Sequence, residues 1–170
     1  VGRVLGMPYP GGAALDKAAS KGDENKYFLP RSKPGQNPYD MSFSGLKTAA
    51  LNLIHHAEQI GEELDINSLC ASFCAAVSDT LVPRVIQAMK QTNRTKLAVA
   101  GGVAANSRIR SDIMDAAASL GAEVYLPPLK LCGDNAAMIG SQGYFEFIAG
   151  NIAGMELNAY ATKSILGELL

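Results

Sequence analysis

Four short segments of this chain carry residues whose types and spacing suit ligand chemistry. The first is Lys96-Leu97-Ala98-Val99-Ala100-Gly101-Gly102-Val103-Ala104-Ala105-Asn106-Ser107. An apolar, β-prone run stops at two glycines and leads straight into a helix-like stretch. Such a strand-turn-helix turns backbone N–H groups and a positive helix end toward an anion or a nucleotide. Glycine lets a ligand approach the backbone where a side chain would collide. Asn106, expected in the first helical turn, offers both a donor and an acceptor, which suits a ribose hydroxyl or a purine edge. A plain turn with a capping Asn is the alternative.

The second segment is Cys132-Gly133-Asp134-Asn135, at the turn of a second strand-turn-helix from Val124 to Met138. Asp134 precedes a helix, where it serves either as the N-cap or as a hard oxygen ligand for a divalent metal. The third is Tyr9-Pro10-Gly11-Gly12, with Asp16 four residues beyond Gly12. Its glycines permit close approach to a sugar, and Asp16 can accept hydrogen bonds from ribose hydroxyls; a tight turn and an exposed helix acid is the other reading. The fourth, Ser42-Phe43-Ser44-Gly45-Leu46-Lys47-Thr48, resembles part of a phosphate loop but lacks the full G-x-x-x-x-G-K-[ST] spacing. It is not a Walker motif, although Lys47 can still meet a phosphate or an RNA backbone.

These segments need elements to hold them. Residues 1–6 read as the end of a helix, Met7 to Gly12 as a turn, and Ala13–Lys21 as a short helix. A polar loop with Pro30, Pro34 and Pro38 runs from Gly22 to Met41; its length marks it as functional or mobile. A helix capped by Ser42 or Ser44 runs to about Ile60. The next, Asn67–Gln91, is capped by Asn67 and carries Leu69, Phe73, Val77, Leu81, Val85 and Met89 at helical spacing. Pro83 should kink or divide it. Strand Leu97–Ala100, helix Ala104–Leu120, strand Glu123–Leu126 and helix Asn135–Ala149 complete the pattern, and the tail after Gly150 has little periodicity. This is a helix-rich α/β chain with two strands, whose glycine turns should open on one edge of a parallel sheet, where such proteins place ligands. Two strands are too few for a self-sufficient sheet. The expectation is a piece of a longer protein, with the missing strands upstream.

At 170 residues and 48% apolar, the chain can build one real core. Its 15 basic and 16 acidic side chains form no basic stripe, so an autonomous nucleic-acid binder is not expected. Any RNA substrate would draw much of its electrostatic attraction from other residues or another subunit. Three cysteines without a CxxC spacing suggest reduced thiols and a cytoplasmic setting. No signal peptide or membrane-spanning run is expected. His55 and His56 are adjacent and diverge around their helix, so they do not make a metal pair.

In this order and spacing, YPGG (9–12), FSGLKT (43–48), AGGVAAN (100–106) and GDNAAMI (133–139) resemble the C-terminal half of the TsaD family, from Val1 to about Phe147. The resemblance implies part of a lobe of an actin, sugar-kinase and heat-shock-ATPase-like fold over residues 1–150, with a tail over 151–170. It implies transfer of a threonylcarbamoyl group from threonylcarbamoyl-AMP to N6 of the adenosine beside the anticodon in tRNA, with AMP leaving. Gly12, Asp16 and Asn106 would hold the nucleoside, and Asp134 would bind one iron or zinc ion. No residue is assigned a catalytic role. The family's two metal-binding histidines and its glycine-rich phosphate loop have no match here, so this chain alone is expected to bind metal poorly and to be inactive. Other subunits of the modification machinery are implied partners. The rival readings are an ATPase or phosphotransferase of the same fold group and a non-catalytic, partner-binding lobe. A metalloprotease is disfavoured, since no protease nucleophile or zinc signature is present.

Overall fold

A computed structural model describes residues 1–33, 35 and 37–159. Pro34 of the polar loop, and residues 160–170 of the tail, lie outside the described residues. The chain forms two compact units, Val1–Gly133 and Asp134–Leu170.

The first unit is built around one long helix. In chain order it contains α1 (Gly11–Ala19), α2 (Ser44–Ile60), α3 (Ile66–Gln91), β1 (Lys96–Ala98), a 3-10 turn (Gly102–Ala105), α4 (Ser107–Ala118), β2 (Glu123–Tyr125) and a second 3-10 turn (Leu129–Leu131). Residues 1–6 make a single hydrogen-bonded turn ending at Gly6, with Leu5 N–H donating to the Val1 carbonyl at 3.1 Å. The strands pair in parallel, Leu97 opposite Val124. The chain therefore leaves both strands at the same edge of a two-stranded sheet, from β1 into the Gly101-Gly102 turn and from β2 into Pro127-Pro128.

Several expected boundaries move, each for a local reason. α1 starts at Gly11 rather than Ala13, because Pro10 takes the N-cap position and the glycines fall in the first turn, whose N–H groups need no helical partner. α2 has Phe43 at its N-cap and no side-chain cap; Ser42 Oγ instead accepts from Ser44 N–H at 3.3 Å. α3 begins one residue early and is capped by Asp65, not Asn67, through Ser68 N–H at 3.1 Å. It also runs unbroken through Pro83. An internal proline costs about 3 kcal/mol, which burial of Cys70, Cys74, Ala76 and Val82 outweighs. α3 is long and apolar enough by composition to cross a membrane, but most of it is buried within the fold.

Burial on α3 is not confined to the expected apolar stripe. Leu69 and Met89 are buried, whereas Phe73, Val77, Leu81 and Val85 are only partly covered. Instead Ser68, Ser72, Thr80 and Arg84 are buried polar residues spaced at multiples of four, with Ala76 at the remaining step. They hold the polar loop. Ser68 Oγ accepts Asp23 N–H at 2.9 Å, Ser72 Oγ accepts Tyr27 N–H at 3.2 Å, and Thr80 Oγ1 accepts Ser32 N–H at 3.3 Å. Arg84 donates to the carbonyls of Ser32 (2.8 Å), Asp40 (3.1 Å) and Thr80 (2.5 Å). Leu29 of the loop is buried in the cluster containing Leu46, Ala50, Ile54, Leu69 and Ala76. Over these residues the loop is a strap fastened along α3. A smaller cluster of Val82, Ile109 and Ile113 seats α4 and the strands, with Leu97, Val99 and Val124 against it.

In the second unit α5 spans Ala136–Ile148 and contains no buried residue. Met138, Ile139, Tyr144, Phe145, Phe147 and Ile148 are exposed.

Candidate functional site

Position 106 is where the sequence expectation and the structure differ most usefully. The helix expected over Ala104–Leu120 is interrupted: a 3-10 turn ends at Asn106, whose extended backbone (φ −65°, ψ 125°) makes it the N-cap of α4. Its Oδ1 accepts Ile109 N–H at 3.0 Å. The capping role is therefore real. The amide nitrogen is left for other work, and Nδ2 donates to Asp16 Oδ1 at 2.9 Å and to Cys74 Sγ at 3.4 Å. Two of the four residues picked from sequence thus meet directly, although 90 positions separate them.

Asp16 is held harder than this one bond suggests. The same Oδ1 accepts Ser107 Oγ at 2.8 Å and Ser107 N–H at 3.0 Å. All three donors come from the start of α4, where the helix dipole favours a carboxylate. Asp16 and Ser107 line a hollow of about 230 Å³ with Ser20, Glu24, Cys74 and Arg108. Burial pushes the Cys74 thiol above its ordinary range, against the lowering pull of the Asn106 amide, so it stays a neutral SH beside the carboxylate.

Gly12 lies four residues before Asp16 on α1, hence on the same face. It lines a larger hollow, about 550 Å³, with Arg3, Gly11, Phe43, Ser44, Lys47 and Phe73 among its walls. The YPGG and FSGLKT segments, read separately from sequence, share this hollow. Among the described residues, no atom beyond the chain neighbours and the local helix backbone lies within 4 Å of where a side chain would begin on Gly12, Gly101 or Gly102. Their backbones face open space. Gly101 has a further requirement, since its φ of +91° is one that other residues rarely adopt.

Arg110 joins the segments that leave the two strands. Its guanidinium donates to the Ala104 carbonyl at 2.7 Å in the turn after β1 and to the Pro127 carbonyl at 3.2 Å just after β2. The planar fork of an arginine suits two acceptors fixed in this way. Sequence reasoning missed Arg110 and Ser107. Ser107 was the easier to find, as it directly follows Asn106 at a helix start, where hydroxyls and free N–H groups gather. Nothing about Arg110 marked it out from other helix arginines.

Asp134 opens the second unit as an exposed residue. It does not cap α5; Asn135 does, accepting Met138 N–H at 3.0 Å. The plainer of its two sequence readings is thereby removed. Among the described residues no group of three His, Cys, Asp or Glu could hold a metal ion. Asp134 is a single exposed carboxylate, a hard oxygen donor of the kind a divalent ion takes.

A family model described as TsaD, tRNA N6-adenosine threonylcarbamoyltransferase, matches residues 1–141. The chain belongs to the TsaD family. Three TsaD relatives, each named tRNA N6-adenosine threonylcarbamoyltransferase, illustrate the match. That of Lactobacillus delbrueckii is 47% identical over 94% of this chain and 46% of its own length. The Moorella thermoacetica protein is 43% identical over 94% of this chain and 46% of its own. The Caldicellulosiruptor saccharolyticus protein is 42% identical over 99% of this chain and 49% of its own. The chain spans about half the length of the curated TsaD relatives it matches. The TsaD match includes Gly12, Asp16, Lys47, Asn106 and Asp134.

Proposed function

We propose that this chain supplies the nucleoside-holding part of a tRNA threonylcarbamoyltransferase. In the complete protein a threonylcarbamoyl group passes from threonylcarbamoyl-AMP to N6 of the adenosine beside the anticodon. The amine attacks the carbamoyl carbonyl carbon, the bond from that carbon to the phosphate oxygen breaks, AMP leaves with the electron pair, and N6 loses a proton. Residues 1–150 form part of one lobe of an actin and sugar-kinase-like cleft, in a cytoplasmic enzyme that works with other subunits.

One observation carries the reading: Asp16, Asn106 and Ser107 form a hydrogen-bonded cluster at the start of α4 that commits one oxygen of Asp16 and leaves Oδ2 without a donor among the described residues. A fixed carboxylate with one oxygen to spare suits the hydroxyls of a ribose. Gly12, one turn back on α1, lets the nucleoside lie close to the backbone. The turn at Gly101-Gly102 brings N–H groups that would steady charge on the departing phosphate.

Asp134 fits a metal site as one carboxylate ligand, with the remaining ligands from outside this chain. A bound iron or zinc ion would supply Lewis-acid polarisation of substrate oxygens. Asp134→Ala in the full-length protein should lower metal content and threonylcarbamoyl transfer together, by about tenfold or more, with the melting temperature little changed. Metal analysis beside mass spectrometry of tRNA nucleosides checks this; unchanged metal content would remove Asp134 from the ligand set.

A second reading, a non-catalytic lobe that binds a partner, is favoured by one feature, the exposed Tyr144, Phe145 and Phe147 of α5. Modified adenosine formed by the full-length protein would exclude it.

A further inference from the structure

We infer that Ser107 is a positioning residue for nucleotide binding, fixing Asp16 so that its second oxygen faces the ribose. The inference rests on the nucleoside reading of Asp16. Three donors converge on Oδ1, and two of the three belong to Ser107: Oγ at 2.8 Å and N–H at 3.0 Å. The third is the amide of Asn106 at 2.9 Å. A carboxylate oxygen offers about two lone-pair sites. Oδ1 is therefore saturated by protein, and a ligand hydroxyl is directed to Oδ2.

The arrangement also decides which way the carboxylate turns. Asn106 is itself pinned, because its Oδ1 caps Ile109 N–H at 3.0 Å. Ser107 N–H belongs to the backbone at the start of α4 and is equally fixed. The Ser107 hydroxyl closes the third side of this cradle. Without it, Asp16 keeps two donors but can exchange its oxygens between them and the solvent of the adjoining hollow, which Ser107 also lines. The ribose hydroxyls would then meet a carboxylate that has to be ordered on binding, and affinity falls by the ordering cost.

A hydroxyl that merely ties α1 to α4 would instead affect all ligands alike. The two cases separate with AMP and 2′,3′-dideoxy-AMP as probes, titrated calorimetrically into the full-length protein that carries this chain. Ser107→Ala should weaken AMP about tenfold, should leave dideoxy-AMP affinity within about twofold, and Ser107→Thr should restore AMP binding. Equal loss for both nucleotides, or no loss for either, overturns the positioning role. Asp16→Ala distinguishes the two levels of the argument. If it leaves AMP affinity unchanged, the nucleoside reading of Asp16 itself fails. If it weakens AMP while Ser107→Ala does not, only the role of Ser107 fails.

Discussion

Asn106 shows how one side chain serves the fold and the site at once. Its oxygen caps α4 and its nitrogen holds Asp16. Asn106→Ala should thus cost about 1 kcal/mol of stability through the lost cap, in addition to weakening AMP. Asn106→Ser separates the two, because serine keeps a capping oxygen but has no amide to reach Asp16. Thermal melts should show stability recovered in Asn106→Ser, while AMP affinity stays reduced; affinity that recovered with stability would assign Asn106 to the cap alone. At this scale the sequence was legible wherever type and spacing coincide. Gly12, Asp16 and Asn106 were picked out by motif, and Asp16 and Asn106 do meet. What stayed hidden was the division of labour within one amide, and the hydroxyl next door. A hydrogen-bond partner 90 positions away leaves no periodic trace.

Among the elements, α3 is the one that sequence reasoning both found and misread. Its length and position were plain from apolar recurrence, but its buried polar stripe was not. Serine and threonine in a helix ordinarily read as solvent-facing; here they face a strap that has no regular structure of its own. The cap was misassigned by two residues because Asp65 and Asn67 are both good caps and only the backbone decides between them. Asp65 gives this end of α3 a distinct acid sensitivity. Hydrogen bonds from Ser68 Oγ and Ser68 N–H, and then Lys26 at 3.0 Å, lower its carboxyl from 3.8 to about 2. A group depressed in the folded state stabilises above its unfolded value, and that contribution drains away as pH falls from near 4 toward 2. Asp65→Asn keeps a capping oxygen without the charge. Its melting temperature should trail the parent at pH 6, with the gap narrowing below about pH 4 and nearly closing only at about pH 2, read from melts across that range. A gap that stays constant with pH would mean the charge contributes nothing.

At the scale of the whole molecule, the chain spans only part of the length of the TsaD relatives it matches. Its relatives are about twice as long, and the described residues contain no metal-binding cluster. The 170-residue chain, mixed with threonylcarbamoyl-AMP and tRNA, should yield no modified adenosine above background by nucleoside mass spectrometry. Turnover would show that these 170 residues suffice for the transfer. The short parallel sheet was legible at this scale because one apolar run ends at Gly101-Gly102 and the other at Pro127-Pro128. The exposed face of α5 was not. Its hydrophobicity reads the same from sequence whether or not anything covers it.

The strap along α3 has a consequence for how this part of the chain can vary in length. Its amides at Asp23, Tyr27 and Ser32 are matched to hydroxyls at fixed intervals on a rigid rod. Adding a single residue between Asp23 and Tyr27 would shift every later amide out of phase with its acceptor. Viable insertions and deletions should fall beyond Ser32, ahead of the Asp40 carbonyl, where among the described residues no serine or threonine of the helix keeps count.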